Sequence, residues 1–269
     1  MGLRSLALVV AQLLLWAQSP VVADTGFLDR SIVLGKITHR YQVYVPAEYS
    51  RTRRWPIWVD LHSNGVQGRD GMQQTVVGLA DQIRQDRMRF PVIVLFPQAE
   101  PEKRWFDADM EELVIAELDH TMAEFHGDPA RVYLSGFSMG ATGAYRIAYR
   151  WPERFAALVA IAGRVDSSDA AAYSDADKEA DRRANAFLGT PDPFAALAAR
   201  LKHLRIRIFH GDADDTVPIE QSRRLVSALK AVGTQVEYDE YPGASHVGTA
   251  QKATADADMI RWMLAQHRY

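Results

Sequence analysis

The pentapeptide Gly136-Phe137-Ser138-Met139-Gly140 matches the pattern G-x-S-x-G and stands between a predicted strand and a predicted helix. The apolar run 132–134 leads directly into it, and the helical pattern 141–149 leads directly out. Glycines two residues to either side of a serine on such a sharp turn remove Cβ atoms that would clash there. The pattern predicts Ser138 as a nucleophile and the amide of Met139 as an oxyanion donor. An inert serine in a glycine-rich turn is the alternative.

A serine hydroxyl is a poor nucleophile until a base takes its proton, and the base should be a histidine. Eight histidines are available. His246 differs from the others because it lies in a turn-rich loop, residues 241–248, after the last predicted strand. Loops that follow the carboxyl ends of parallel strands gather at one edge of a sheet. We therefore predict His246 as the general base.

The carboxylate that orients this histidine should come from residues 210–218, the loop after the seventh predicted strand. Asp212, Asp214 and Asp215 all lie in that loop, and their spacing alone does not choose among them. His210, which ends the strand, is interpreted as a packing or hydrogen-bonding residue. The chain order serine, aspartate, histidine is that of α/β-hydrolases rather than of chymotrypsin or subtilisin.

A second oxyanion donor is expected in the loop after the third predicted strand. Residues 61–65 form that loop, and the N–H of Asn64 is the candidate donor. His62 lies at the end of the same strand. We interpret it as structural, because one base suffices for this chemistry.

Strands alternate with helices along the rest of the chain, which predicts an α/β fold. The predicted strands are a hairpin over 31–45 with a turn at Gly35-Lys36, followed by 55–61, 91–96, 131–135, 155–161, 204–209 and 235–241. The predicted helices are 72–88, 109–125, 139–150, 219–232 and 251–266. We expect a mostly parallel eight-stranded sheet with helices on both faces, and a single domain over residues 24–269, since the sequence shows no repeat or linker.

One segment, residues 164–200, departs from this alternation. It is rich in charge and alanine and is too long for a plain connection. Either a lid over the site or a solvated surface helix would account for it.

The first 23 residues have the pattern of a secretory signal peptide. Arg4 supplies the positive charge, residues 6–16 are apolar, and small residues precede a cleavage point after Ala23. We expect a secreted or periplasmic mature chain of residues 24–269, and an uncleaved anchor is the alternative. No other stretch is long and apolar enough to predict a membrane span.

Composition excludes several kinds of function. The 269 residues include 31 basic and 34 acidic ones, which gives no reason to expect a nucleic-acid partner. The absence of cysteine excludes disulfides, thiolate metal sites and a cysteine nucleophile. At 48% hydrophobic residues the chain can bury a sizeable core.

These motifs together resemble the secreted α/β-hydrolase esterases grouped with feruloyl esterases, polyhydroxybutyrate depolymerases and the so-called predicted peptidases. The segments that carry the resemblance are 60–62, 91–97, Trp105, 128–140, 151–157 and the His-Gly-x-x-Asp-x-x-Val-Pro pattern at 210–218. The resemblance implies that Asp214 is the triad acid, with Ser138, His246 and the oxyanion amides of Asn64 and Met139. It also suggests that Trp105 lines the substrate site.

The chain departs from this family at Ser63, where the family usually has glycine. A serine there would cost roughly 1 kcal/mol if the position needs a positive φ. This departure puts the oxyanion geometry in question and leaves the triad intact.

We therefore expect an exported serine carboxylesterase that acts through an acyl-enzyme, without a metal or organic cofactor. The resemblance suggests feruloyl or short acyl esters, on a small molecule or a polymer, or polyester fragments as substrates. The alternatives are a peptidase or acyltransferase on the same triad, or a catalytically inactive binding protein with the same fold. The oligomeric state stays open.

Overall fold

A single sheet organises the computed structural model, which describes residues 24–168, 170–171 and 173–268. The predicted signal peptide, residues 1–23, lies outside the described residues. The strands are β1 (Gly26–Leu34), β2 (Ile37–Val45), β3 (Trp55–Leu61), β4 (Ile93–Phe96), β5 (Gly127–Phe137), β6 (Ala157–Ile161), β7 (Arg205–Gly211) and β8 (Val236–Tyr241).

The order of strands across the sheet is β1-β2-β4-β3-β5-β6-β7-β8. The β1–β2 and β2–β4 pairs are antiparallel, and all later pairs are parallel. The early hairpin therefore forms one edge, and β5, which leads to Ser138, lies near the centre. The predicted mostly parallel eight-stranded sheet is confirmed.

Helices cover both faces of this sheet. They are α1 (Leu79–Gln85), α2 (Ala108–Glu124), α3 (Met139–Arg150), α4 (Asp175–Ala184), α5 (Pro193–Leu201), α6 (Glu220–Ala231), α7 (His246–Ala255) and α8 (Ala257–Leu264). Alternate residues of β5 face opposite sides, because side chains along a strand alternate. Val132 and Leu134 pack with α2, α3, α5 and α6, whereas Tyr133 packs with α1, α7 and α8. None of the helices in the described part of the chain is both long and apolar enough to cross a bilayer.

Two predicted helices are shorter or broken in the structure. The region 72–88 contains a short turn at Gln73–Thr75 and then α1, because Gly78 adopts a φ of 72° between them. The region 251–266 contains α7, which begins earlier, and α8. Asp256 separates the two with an extended ψ of 113°, and its side chain caps α8 by accepting from the N–H of Asp258 at 2.8 Å.

The 164–200 segment carries α4 and most of α5, whose bounds the sequence patterns did not predict. A buried ion pair fastens α4 to α3: the guanidinium of Arg146 donates to both carboxylate oxygens of Asp181 at 2.9 and 2.8 Å. Phe187 and Leu197 add buried apolar contacts. Helix α5 therefore belongs to the core, whereas α4 is a surface helix that buries Asp181 alone and is anchored through it.

Candidate active site

The turn between β5 and α3 holds Ser138 in a strained backbone conformation. Its φ is 57° and its ψ is −116°, a region that costs roughly 1–3 kcal/mol for a residue with a Cβ atom. A Cβ at Gly136 would lie 2.3 Å from the Gly140 carbonyl carbon, and one at Gly140 would lie 1.9 Å from the Leu61 oxygen. Both glycines are thus required for this turn to fit against β3.

The structure brings the three predicted triad side chains together. The Oγ atom of Ser138 lies 2.8 Å from Nε2 of His246, and Nδ1 of His246 lies 2.7 Å from Oδ2 of Asp214. Because an ionised carboxylate only accepts, Nδ1 carries the proton, and Nε2 is left to accept from the serine hydroxyl. Ser245 caps α7 and so fixes the start of the helix that carries His246.

Asp214 is the aspartate of its loop that contacts His246. Burial alone would raise the pKa of its carboxyl, but hydrogen bonds from His210, His246 and the amides of Val217 and Thr216 outweigh this effect and hold the pKa well below its usual range. Asp214 is therefore ionised at neutral pH. The side chain of Asp212 instead accepts from the amide of Gly243, and that of Asp215 from the hydroxyl of Thr216.

His210 is fully buried behind Asp214. Its Nε2 lies 3.2 Å from Asp214 Oδ2 and 3.0 Å from the Val217 carbonyl oxygen, and its Nδ1 lies 2.7 Å from Ser222 Oγ. Both groups near Nε2 are acceptors, so Nε2 carries a proton and donates to them. The hydrogen-bonding interpretation of His210 fits this position.

The two candidate oxyanion donors line the same cleft as Ser138. As the first residue of α3, Met139 has an N–H without an acceptor inside the helix. Gln67 supports the loop that carries Asn64: its Nε2 donates to Asn64 Oδ1 at 2.8 Å, and its Oε1 accepts from the amide of Gly65 at 2.7 Å. No sequence pattern had indicated Gln67.

Ser63 is accommodated without the strain that its replacement of glycine suggested. In the described part of the chain, positive φ values at residues other than glycine occur at Glu102, His126, Ser138 and Ala162, and Ser63 is not among them. The loop instead places its positive φ, 98°, at Gly65.

His62 has the structural role expected of it. Its Nε2 accepts from the amide of Ala99 at 3.0 Å, so its Nδ1 carries the proton and donates to the Ser63 carbonyl oxygen at 2.7 Å. Burial lowers the pKa of its imidazole to about 4, and the ring is neutral at pH 7. His62 thereby links the loop 61–65, which carries the candidate donor Asn64 and is called the oxyanion loop, to the segment that follows β4.

The substrate-lining role suggested for Trp105 is wrong. Its side chain has no exposed surface, and its Nε1 donates to the His62 carbonyl oxygen at 2.9 Å. A Cβ at Gly143 of α3 would lie 2.1 Å from Trp105 Cβ, which shows how closely the two segments pack. Trp105 supports the oxyanion loop from below, and sequence alone could not distinguish that position from one in the cleft.

A cleft of about 690 Å³ surrounds the serine on the α3 side. Thr142, Arg164 and Tyr173 line it together with the loop 212–220. Arg164 donates to the Thr216 carbonyl oxygen at 2.6 Å, which joins this side of the cleft to the loop that carries Asp214. The sequence places Arg164 and Tyr173 in the segment 164–200, which is interpreted there as a lid or a surface helix, and it indicates no site residue in that segment.

The described ranges contain no group of three or more histidine, aspartate or glutamate side chains placed to hold a metal ion.

Comparison with solved structures identifies the fold. A thermostable esterase superimposes with a TM-score of 0.70 at 25% identity, over 90% of this chain and 63% of that one. A ferulic acid esterase gives a TM-score of 0.68 at 14% identity, over 88% and 97% of the two chains. The S-formylglutathione hydrolase of Staphylococcus aureus gives 0.68 at 16%, over 90% and 100%. At these identities, the similarity to the ferulic acid esterase and to the S-formylglutathione hydrolase shows the fold alone. No curated protein sequence matches the chain.

Sequence comparison identifies the family. Residues 101–268, more than half of the chain, match the model of the prolyl oligopeptidase family. The chain belongs to the prolyl oligopeptidase family. Its fold and this membership place it among the serine hydrolases of the α/β-hydrolase esterase and peptidase group. The expected resemblance to that group is confirmed, and the roles of individual side chains stay predictions.

Proposed function

We propose that this protein of the prolyl oligopeptidase family hydrolyses carboxylic esters through an acyl-enzyme on Ser138. The observation that carries the proposal is the continuous chain of hydrogen bonds from Ser138 through His246 to Asp214, at 2.8 and 2.7 Å. The similarity to a thermostable esterase at 25% identity favours an ester as the substrate.

The reaction has two halves. Ser138 Oγ attacks the ester carbonyl carbon as His246 Nε2 takes its proton, and the amides of Asn64 and Met139 bind the oxyanion. The imidazolium then gives its proton to the departing alcohol oxygen, which leaves an acylated serine. Water attacks this acyl group by the same route and releases the acid. Asp214 stays ionised throughout and stabilises the imidazolium.

We propose feruloyl or short acyl esters, or polyester fragments, as the substrate class. The ferulic acid esterase among the structural neighbours supports this proposal at the level of fold, and the cleft of about 690 Å³ leaves room for a polymer-linked alcohol. We also propose that the protein is exported after cleavage near Ala23. Amino-terminal sequencing of protein recovered outside the cytoplasm should then begin at Asp24.

The test is turnover of p-nitrophenyl acetate, p-nitrophenyl butyrate and methyl ferulate by residues 24–269, beside the Ser138→Ala variant. Hydrolysis that depends on Ser138 supports the proposal. A folded protein that turns over none of these esters would contradict it.

Peptide hydrolysis is the second candidate, because the family model that matches is that of prolyl oligopeptidases. The amine that an amide releases is a poorer leaving group than the alcohol that an ester releases. Amide hydrolysis therefore depends more strongly on the proton that His246 delivers. Dipeptidyl p-nitroanilides assayed beside the esters separate the two. A higher kcat/KM on the amides would make the protein a peptidase.

A further inference from the structure

A second hollow, which we call the valine groove, is lined by residues that flank Ser138 and His246 in the chain. It has a volume of about 480 Å³ and runs between the segment 76–82 and helix α7. Val76, Val77, Phe137 and Val247 are among its lining residues. None of the triad roles described above uses it.

Three residues that line the valine groove are chain neighbours of candidate site residues. Phe137 precedes Ser138, Val247 follows His246, and Ser63 precedes Asn64, and all three line the groove. The ring of Phe137 also packs on the imidazole of His246, with centroids 4.7 Å apart. The Phe137 ring is therefore a wall that the groove shares with His246, whose Nε2 lies 2.8 Å from Ser138 Oγ.

Part of its wall is apolar and open to water. Val76, Val77 and Val247 are 65%, 57% and 58% exposed, and the other large hydrophobic side chains exposed in the described residues are Val33, Ile37, Met72, Met88 and Val232. Three of eight such side chains thus face one groove beside the candidate site. Isolated exposed valines need no explanation, but a cluster in a concavity marks a binding site for an apolar group.

The charges of the valine groove select against an anionic occupant. Asp60 and Asp81 line it, and its described lining includes no lysine or arginine. The large cleft carries charges of both signs, since Arg164 lines it together with the exposed carboxylates of Asp212, Asp215 and Glu220, and this charged wall suits a hydrated, polar alcohol. The acyl chain and the alcohol of the ester would therefore occupy two hollows with different charges, the valine groove and the large cleft.

We propose that the valine groove binds the acyl chain of the ester, and that this chain is uncharged and aliphatic. The inference rests on the proposed ester hydrolysis. Each methylene that moves from water into such a groove contributes a factor of about four to binding. Where that contribution is made in the transition state, kcat/KM rises with acyl length.

The test compares p-nitrophenyl acetate with p-nitrophenyl hexanoate in three proteins of residues 24–269. The unmodified protein is expected to prefer hexanoate by about tenfold or more in kcat/KM. Val77→Asp places a charge in the groove and should reduce the hexanoate-to-acetate ratio by about tenfold. Val33→Asp is the matched control, since Val33 is 66% exposed at the distant hairpin of β1 and β2 and should leave the ratio unchanged.

An unchanged ratio in Val77→Asp would overturn the proposal, as would a preference that follows the alcohol instead, measured with acetate esters of ethanol and hexanol. Failure of the proposed function looks different. In that case the unmodified protein turns over neither p-nitrophenyl ester, and no ratio exists.

Discussion

The Nε2 atom of His210 lies 3.2 Å from Oδ2 of Asp214, the same oxygen that His246 Nδ1 approaches to 2.7 Å. One carboxylate oxygen thus faces two imidazoles. A hydrogen bond to a charged group contributes about 1.5–3 kcal/mol, so His210 is a positioning residue that holds Asp214 ionised and aimed at His246.

Replacing His210 by Phe should lower kcat about ten- to a hundredfold on p-nitrophenyl acetate and leave KM within about twofold, because the substrate does not touch this side chain. The measurement is the split between kcat and KM, with a thermal melt to confirm folding. His203→Phe is the matched control, since His203 bonds the Pro152 carbonyl away from the site. A rise in KM at constant kcat would mean that His210 shapes the cleft instead.

Asp214→Asn should lower kcat by up to about 10⁴-fold, because an amide in place of the triad carboxylate favours the wrong histidine tautomer. Asp212→Asn and Asp215→Asn keep an acceptor oxygen for Gly243 and Thr216 and should stay within about threefold of the unmodified protein. Parallel steady-state assays of the three variants decide this. If Asp212→Asn or Asp215→Asn is the most damaging change, the acid has been misassigned.

Glu117 of α2 has no exposed surface, and neither carboxyl oxygen has a hydrogen-bond partner among the described residues. Burial raises its pKa well above the usual value of 4.5. Between these two pKa values the folded protein keeps a proton that the unfolded chain has released, so the free energy of unfolding falls as the pH rises. Glu117→Gln removes this penalty and should raise Tm at pH 8 by about 2–4 °C.

The pH dependence is the decisive part of that prediction. At pH 4 the difference in Tm between Glu117→Gln and the unmodified protein should shrink, because both states then hold the proton. Glu112→Gln on the exposed face of the same helix serves as the control and should show no such trend. A gain in Tm that is equal at both pH values would mean that the carboxyl does not titrate as inferred.

Asp181→Ala should lower the free energy of unfolding by about 3–5 kcal/mol, because it leaves the buried guanidinium of Arg146 without its partner. Glu179→Ala, on the same helix, breaks exposed pairs with Arg182 and Arg183 and should cost about 1 kcal/mol or less. Urea unfolding of both variants measures the difference. Equal costs would show that α4 is not anchored through Asp181.

Much of the site could be predicted because its signals are local. A G-x-S-x-G turn between a strand and a helix constrains the backbone within five residues, and it specified Ser138 and Met139. The choice of Asp214 needed the family resemblance, since the three aspartates of that loop differ only in three-dimensional position. The role expected of Trp105 also came from the family resemblance, and it was wrong. The local sequence of an aromatic residue after β4 does not show whether its side chain lines a cleft. Here the side chain packs beneath the oxyanion loop with no exposed surface.

Other features depended on contacts that sequence patterns do not encode. The helical periodicity of 251–266 continues through Asp256, and only the side-chain cap on Asp258 reveals the break. The helices of the 164–200 segment are stabilised by the ion pair between Arg146 and Asp181, which lie 35 residues apart. Gln67 supports Asn64 through one amide side chain in a loop without a motif.

Covalent labelling shows whether Ser138 is the nucleophile. The unmodified protein is treated with a fluorophosphonate, digested, and analysed by mass spectrometry, with folded Ser138→Ala alongside. We predict one adduct, on the peptide that contains Ser138, and none in the variant. An adduct on a different residue, or none on the folded unmodified protein, would show that Ser138 is not the nucleophile.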